Sequence, residues 1–257
     1  MQENSKYIKT AFITGVSTGI GFAMAKKLLE NEYVVYGCSR RLPKELLSYP
    51  NFKYQKIDLA NTNEITENLE LLFSQIELPK FDLVFLNAGL FGTPPNLALA
   101  TDLSNFQNVL DVNLTANKVI IDYLLKSNFK IDICLISSSM AGIRMRAGML
   151  SYSVSKAALN ALIKIYSLEN PEIFFALLGL CNVDTNLGRT VVSGDNLHLL
   201  PELQLLKERV KQPGYVAKAE ERVEQIYSLL YSGKIKSMIK SGDFTDVREL
   251  IITSLST

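Results

Sequence analysis

The sequence predicts an α/β fold in which a doubly wound parallel sheet carries helices on both faces. Short apolar runs alternate with amphipathic, helix-like segments from the N-terminus to about Leu180, an order typical of right-handed βαβ crossovers. Of the 257 residues, 47% are apolar and 21% are charged, which is ordinary for a globular protein and too apolar for a disordered one. No repeat or linker divides the chain, so we expect a single domain over residues 1–257.

Six apolar runs have the length and composition of buried strands. They are residues 11–13, 34–38, 52–57, 83–86, 131–136 and 173–180. After the first run, Ile20, Met24 and Leu28 recur at every fourth position, and residues 65–73 show a similar apolar face after the third run. This spacing predicts helices that cover the sheet. Ser104 is predicted to be the N-cap of a further long helix.

Residues 186–214 break this alternation and are predicted to form a substrate lid near the C-terminal third of the chain. They contain Gly, Asp, Asn and Pro without a strand pattern, and a helix pattern resumes over residues 219–231. Gly188, Gly194 and Gly214 can absorb the backbone rotation that closure requires. A long irregular segment after the carboxyl end of a strand lies where ligands of open α/β sheets bind. The alternative is an insertion that stays packed on the sheet or contributes to oligomer contacts.

Charge and cysteine content exclude several classes of function. The 27 Lys and Arg residues oppose 26 Asp and Glu residues, a net charge of +1, so no overall field favours nucleic acid or an anionic membrane. The apolar runs are far shorter than the ~20 residues of a membrane helix, and no secretory apolar segment opens the sequence. Cys38, Cys134 and Cys181 lack paired spacing, so we expect reduced, buried thiols and no metal site. These features predict a cytoplasmic protein without nucleic-acid or membrane partners.

A glycine-rich turn follows the first predicted strand. Gly15, Gly19 and Gly21 lie in the segment TGVSTGIG, where a helix pattern begins. Glycines at such a turn let the backbone approach a pyrophosphate, which the helix N-terminus then stabilises. The alternative is a plain tight turn. The spacing G-x-x-x-G-x-G also differs from the commoner G-x-G-x-x-G of dinucleotide-binding folds.

Further motifs stand at the ends of successive predicted strands. Asp58 and Leu59 follow the third run, and Asn87-Ala88-Gly89 follows the fourth. Together with the glycine turn, they resemble the compact branch of the short-chain dehydrogenase/reductase family, which has a single-domain Rossmann-type fold. The resemblance implies a cofactor site to which all these motifs contribute. Its expected members are Gly15, Ser17, Thr18, Gly19, Ile20, Gly21, Arg40, Asp58, Leu59, Asn87, Ala88, Gly89, Tyr152, Lys156, Val183 and Thr185.

The end of the second predicted strand indicates which dinucleotide binds. An acid about 20 residues beyond the glycines would hold the adenosine ribose of NAD, but the sequence there is Cys38-Ser39-Arg40-Arg41. The Arg40 guanidinium suits a 2′-phosphate because it stays charged and can bind it bidentately. We therefore predict NADP(H) rather than NAD(H). The alternatives are a solvated surface arginine or one that pairs with a carboxylate, and Thr18 stands where the family often adds a basic residue.

Tyr152 and Lys156 form a Y-x-x-x-K pair at the start of a predicted helix. Their spacing places the phenol and the ammonium on one helix face, where the cation is expected to favour the phenolate and lower the tyrosine pKa. For this spacing alone, a surface pair would be the ordinary explanation. Ser139, at the end of the fifth run, and Asn113, in the long helix, match the family's other two catalytic positions.

The resemblance implies an NADP(H)-dependent oxidoreductase that transfers hydride between the nicotinamide and a carbonyl or alcohol substrate. Tyr152 would be the general acid/base, and Ser139 would position the carbonyl oxygen. Lys156 would hold the nicotinamide ribose and lower the tyrosine pKa, and Asn113 would support a water that relays protons to Lys156. The cofactor carries the chemistry, while the protein orients it. A small-molecule substrate and a homodimer or homotetramer are implied as well.

One segment departs from the family pattern. Leu180 and Cys181 replace the usual Pro-Gly pair before Val183 and Thr185, and a glycine there would allow closer backbone approach. This loss supports an alternative, a non-catalytic NADP(H)-binding regulatory member of the same fold. A sugar-nucleotide epimerase or dehydratase is a second alternative, although its G-x-x-G-x-x-G motif is not found here.

Two arginines lie in the predicted loop between Ser139 and Tyr152. Arg144 and Arg146 border the position that the substrate occupies in the family. They either attract an acidic substrate or are solvated loop charges, and the sequence does not decide between these interpretations.

Overall fold

The computed structural model describes residues 8–74, 76 and 79–255. Within this part of the chain the strands are β1 (Thr10–Thr14), β2 (Val34–Ser39), β3 (Phe52–Lys56), β4 (Lys80–Phe81), β5 (Leu83–Leu86), β6 (Lys130–Ile131), β7 (Ile133–Ser138), β8 (Phe174–Gly179) and β9 (Phe244–Asp246). Seven of them form one parallel sheet in the order β3-β2-β1-β5-β7-β8-β9. All six predicted runs contribute to that sheet, so the predicted fold class is confirmed.

The helices of the described residues cover both faces of the sheet. They are α1 (Gly19–Glu30), α2 (Ile65–Phe73), α3 (Leu103–Leu110), α4 (Ala116–Lys126), α5 (Leu150–Glu169), α6 (Asn186–Val191), α7 (Pro201–Arg209), α8 (Ala219–Tyr231), α9 (Ile235–Met238) and α10 (Val247–Leu255). Alternate strand residues face opposite ways: Phe12 packs with α2, α4 and α5, whereas Ile13 packs with α1 and α8. Within the described ranges, no helix combines the length and apolar character that crossing a bilayer requires.

The predicted long helix differs in two details. It begins at Leu103 after Asp102, so Ser104 lies inside its first turn and the predicted N-cap is wrong. Between α3 and α4, residues Asp111–Thr115 form a π-helical turn, a widening often found at functional sites. This turn carries Asn113, which is fully buried.

Residues 186–214 are more regular than the sequence indicates. They contain α6, a 3₁₀ turn at Asp195–Leu199 and α7, because apolar side chains find partners on the loop that follows β7. The apolar cluster formed there has as its buried members Phe91, Ala141, Met149, Tyr152, Leu197, Leu200 and Leu203. Leu199, by contrast, is exposed. The segment thus belongs to the same apolar cluster as Tyr152.

Candidate active site

A cleft of about 1140 Å³ lies at the carboxyl ends of the parallel strands, where open α/β sheets bind ligands. It brings together nearly all of the predicted site residues. The predicted residues that line it are Gly15, Ser17, Thr18, Gly19, Ile20, Arg40, Asp58, Leu59, Asn87, Ala88, Gly89, Ser139, Tyr152, Lys156, Val183 and Thr185. Gly21 and Asn113 do not line the cleft; they lie behind the residues that do.

The glycine turn forms a cradle that side chains would fill. Gly15 and Gly19 have φ values of +79° and +63°, a region that residues with a Cβ rarely adopt. A Cβ on Gly21 would lie 2.4 Å from the Gly15 carbonyl oxygen. The first turn of α1 contains no acidic residue, and Thr18 before it makes no side-chain capping hydrogen bond. The backbone N–H groups of this helix end therefore fit the pyrophosphate of a dinucleotide.

The Asn87-Ala88-Gly89 motif ties three strand ends together. The Thr14 hydroxyl oxygen accepts hydrogen bonds from the backbone N–H groups of Asn87 and Ala88, both at 3.0 Å. Asn87 Nδ2 donates to the Thr14 carbonyl at 3.2 Å, and Ser137 Oγ donates to Asn87 Oδ1 at 3.2 Å. This network fixes the ends of β1, β5 and β7, and so the floor of the cleft.

Arg40 and Arg41 follow β2, which β1 and β5 separate from β7 in the sheet, and they line the cleft together with Asp58 and Leu59. Both arginines are exposed, and neither forms an ion pair with a carboxylate of the described residues. The buried Ser39 hydroxyl donates to the Arg41 carbonyl at 2.7 Å, which holds the backbone of this turn. Their guanidinium groups are therefore available to an anionic ligand.

Ser139, Tyr152 and Lys156 meet on the other side of the cleft. Ser139 precedes a 3₁₀ turn, and its Oγ accepts a hydrogen bond from Ala141 N at 3.1 Å. Lys156 Nζ donates to the Ser137 carbonyl at 2.7 Å and lies 5.8 Å from the centroid of the Tyr152 ring. The i,i+4 spacing on α5 thus places the two side chains on one face, as the sequence predicts.

Burial sets the pKa values of this pair. Tyr152 is 6% exposed; burial raises the pKa of its phenol, and the hydroxyl of Ser139 opposes that rise. Burial lowers the pKa of Lys156 to about 8. Desolvation outweighs the hydrogen bond from Ser139 in setting the pKa of Tyr152, and the effect of Lys156 on that pKa stays a prediction. The phenol stays protonated at neutral pH and can donate its proton.

Asn113 acts as a clamp behind the site. Its Oδ1 accepts from the Leu90 N–H at 2.9 Å, and its Nδ2 donates to the Leu90 carbonyl at 2.9 Å and to Ser155 Oγ at 3.0 Å. Ser155 in turn donates to the Tyr152 carbonyl at 2.7 Å. A Cβ on Gly89 would lie 3.2 Å from Asn113 Oδ1 and 3.7 Å from Lys156 Nζ. Asn113 thus links the loop that follows β5 to α5, next to Lys156.

The segment that departs from the family pattern is held by unusual contacts. Cys181 has a φ of +62°, so it adopts the left-handed conformation that favours glycine. Its thiol donates to Asp246 Oδ1 at 2.8 Å. Cys38 and Cys134 are buried as predicted, but Cys181 is only partly buried and lines the cleft, which corrects the prediction for that thiol. Beyond it, Thr185 Oγ1 caps α6 by accepting from Gly188 N at 3.1 Å.

Several lining residues carry no sequence signal strong enough to identify them. The Phe91 ring packs on Tyr152 with centroids 5.3 Å apart. Leu206 and Val210 reach the cleft from α7 and its end, and Arg248 from α10. The position of each of these residues in the cleft wall depends on contacts between parts of the chain that are far apart in sequence. Among the described residues, no three His, Cys, Asp or Glu side chains gather in a way that could hold a metal ion.

The comparisons with known sequences agree with this geometry. The family model described as short chain dehydrogenase matches residues 9–193. The NADPH-dependent 1-acyldihydroxyacetone phosphate reductase of Saccharomyces cerevisiae is 32% identical over 184 residues, which is 66% of this chain and 60% of the yeast protein. The aligned part therefore spans less than two thirds of that relative. The benzil reductase ((S)-benzoin forming) of Bacillus cereus is 28% identical over 230 residues, covering 82% of this chain and 92% of that protein.

A solved structure shows the same fold. A short chain dehydrogenase family protein from Francisella tularensis superposes with a TM-score of 0.76 at 24% identity, covering 93% of this chain and 97% of that one. The family match covers most of the chain and includes the glycine cradle and the Ser139, Tyr152 and Lys156 group. The chain therefore belongs to the short-chain dehydrogenase family.

Proposed function

We propose that this protein is an NADP(H)-dependent oxidoreductase that interconverts a carbonyl compound and an alcohol. The observation that carries the proposal is one continuous cleft with the glycine cradle at one part of its wall and Ser139, Tyr152 and Lys156 at another. A dinucleotide in the cradle would thus reach a buried proton donor. A single domain over residues 1–257 and a homodimer or homotetramer complete the proposal.

The cofactor would be held by the residues that the sequence predicts. The glycine turn and the N-terminus of α1 would bind the pyrophosphate, Asp58 and Leu59 would border the adenine, and Val183 and Thr185 would contact the carboxamide. When bound, the nicotinamide would supply or accept the hydride. The protein's task is to orient the cofactor and to provide the proton.

The proton path begins at Tyr152. Its burial keeps the phenol protonated, and Ser139 would position the substrate oxygen to receive that proton. Lys156 would hold the ribose hydroxyls. Asn113 would support a water through which protons are relayed to Lys156; the two side chains both lie next to Gly89.

The test is NADPH oxidation against a panel of ketones, aldehydes and diketones. The names of the relatives mention 1-acyldihydroxyacetone phosphate and benzil, so the panel needs both charged and aromatic carbonyl compounds. Turnover of at least one compound is expected. If NADPH binds but no compound is reduced and no alcohol is oxidised, the alternative of a non-catalytic regulatory member is favoured instead.

We expect Arg40→Asp to erode a preference for NADPH over NADH. Arg40 lines the cleft without a described carboxylate partner, so the substitution removes a cation and adds repulsion towards the 2′-phosphate. The ratio of kcat/KM values for the two cofactors should fall by roughly tenfold or more. Lys44→Asp, an exposed site that does not line the cleft, is the control. A wild-type enzyme that uses NADH equally well would contradict the cofactor assignment.

We further propose that residues 186–214 close over bound ligand. Leu187 and Val191 line the cleft, and Leu197, Leu200 and Leu203 anchor the segment on the Tyr152 side. Hydrogen exchange should slow in this segment when NADPH and then substrate are added, because closure excludes water. Full protection in the ligand-free protein, unchanged by either addition, would support the alternative of a permanently packed insertion.

A further inference from the structure

Arg146 is a mostly buried side chain of the cleft wall whose guanidinium meets no hydrogen-bond acceptor among the described residues. Its side chain is 19% exposed, and it lines the same cleft as Met149 and Tyr152. Among residues 8–74, 76 and 79–255, its one ion pair joins Nε to Glu202 Oε1 across 3.9 Å, and its side chain donates no hydrogen bond. A separation of 3.9 Å is too long for a hydrogen bond.

Glu202 is already engaged by another arginine. Arg144 donates to the same Oε1 atom at 2.6 Å, so the carboxylate charge is largely balanced before Arg146 is considered. Arg146 therefore has no strong partner among the described residues, and its guanidinium can form charge-assisted hydrogen bonds with an anionic ligand.

Two other arginines of the cleft wall are occupied. Arg189 pairs with Asp184 at 2.8 Å, and Arg248 pairs with Asp246 through two side-chain hydrogen bonds of 3.1 and 2.7 Å. Neither guanidinium is as poorly paired as that of Arg146. On the Tyr152 side of the cleft, Arg146 is therefore the arginine best placed to receive an anion.

The walls around Arg146 are apolar. Phe91, Met149, Val191, Leu206 and Val210 also line the cleft, and the first four belong to one apolar cluster with Tyr152. Such walls suit a hydrocarbon portion of a ligand, and they strengthen a nearby charge–charge interaction because they exclude water.

We propose that Arg146 binds an anionic group, a carboxylate or a phosphate, at the far end of the substrate from its reacting carbonyl. The inference rests on the proposed function and names its substrate class: carbonyl compounds in which a hydrocarbon spacer separates the carbonyl from an anion. The specificity then comes from the guanidinium at one end and Tyr152 at the other.

The test compares oxo acids of increasing chain length with their methyl esters, and hydroxyacetone phosphate with hydroxyacetone. The wild type should prefer the anion of at least one pair. In Arg146→Gln, the anion-to-neutral ratio of kcat/KM should fall roughly 10- to 100-fold, the loss expected for a charge-assisted hydrogen bond. Arg209→Gln makes the same change on an exposed residue of α7 that does not line the cleft, and it should leave the ratio unchanged. The pair that shows the preference identifies carboxylate or phosphate.

Glu202→Gln provides a second variant on an exposed residue. It removes the carboxylate that competes for Arg146, so the anion-to-neutral ratio should rise about two- to fivefold. If the wild type reduces neutral ketones but shows no anion preference, or if neither variant changes the ratio, the inference is wrong while the proposed function stands. If no compound turns over, calorimetric dissociation constants of the anions with NADPH present still decide. Equal values for wild type and Arg146→Gln would overturn the role of Arg146.

Discussion

Tyr152→Phe is expected to lower carbonyl reduction by ~10²–10⁴-fold, the contribution usual for a general acid. The substitution removes only the hydroxyl. The ring is 6% exposed and packs on Phe91, and phenylalanine preserves that packing. Lys156 keeps its hydrogen bond to Ser137. Single-turnover NADPH oxidation measures the chemical step, and a fluorescence titration measures cofactor affinity, which should change little.

The matched control for this variant is Tyr231→Phe. Tyr231 is 67% exposed and does not line the cleft, so the same chemical change should leave turnover as it is. If Tyr152→Phe reduces a substrate of the wild type at the parent rate, Tyr152 is not the proton donor. If it loses NADPH affinity instead, its role is in binding.

Lys156→Met is expected to abolish turnover and at the same time to stabilise the protein. Lys156 is 3% exposed, and burial lowers its pKa from 10.5 to about 8, a cost of roughly 3 kcal/mol in the protonated form. The lost hydrogen bond to Ser137 offsets about 1–2 kcal/mol of this gain. The melting temperature should therefore rise by about 2–8 °C at neutral pH.

The pH dependence separates this explanation from a simple packing effect. Below pH 8 the lysine is protonated in both folded and unfolded chains, so the wild type carries the full penalty. Above about pH 10.5 it is neutral in both, and the penalty is gone. The stability of the wild type relative to Lys156→Met should thus increase as pH rises from 8 to 10.5, in urea unfolding at several pH values. A difference that is constant with pH would contradict the buried-charge explanation.

The sheet could be predicted because burial on both faces leaves a direct record in the sequence. Strands such as β5 and β8 are continuous apolar runs, and the glycine turn must contain residues that tolerate positive φ. Only one of the three residues of β9, Phe244, is apolar, so its sequence resembles a loop. Its place in the sheet depends on the register with β8, which no local pattern encodes.

The site could be predicted only as far as its motifs extend. The i,i+4 spacing on one helix predicts that Tyr152 and Lys156 lie together. The direction in which the pKa of Tyr152 shifts, however, depends on desolvation by side chains from elsewhere in the chain. The pairing of Arg144 with Glu202 joins residues 58 positions apart. The side chain of Asn113, in the π-helical turn, makes three hydrogen bonds to two other segments. Contacts of this kind have no local signal.

The contact between the Cys181 thiol and the Asp246 carboxylate limits how far the chain can be shortened and still fold. The family match ends at residue 193, yet β9 pairs with β8 through Leu177–Phe244 and Gly179–Asp246. A fragment cut at residue 193 would expose the backbone of β8 as an open sheet edge, a template for intermolecular strand addition. It would also leave the left-handed turn at Cys181 without its anchor. The motif-bearing region is thus no autonomous unit, because β9 covers the edge of β8 and Asp246 anchors the turn at Cys181, which lines the cleft.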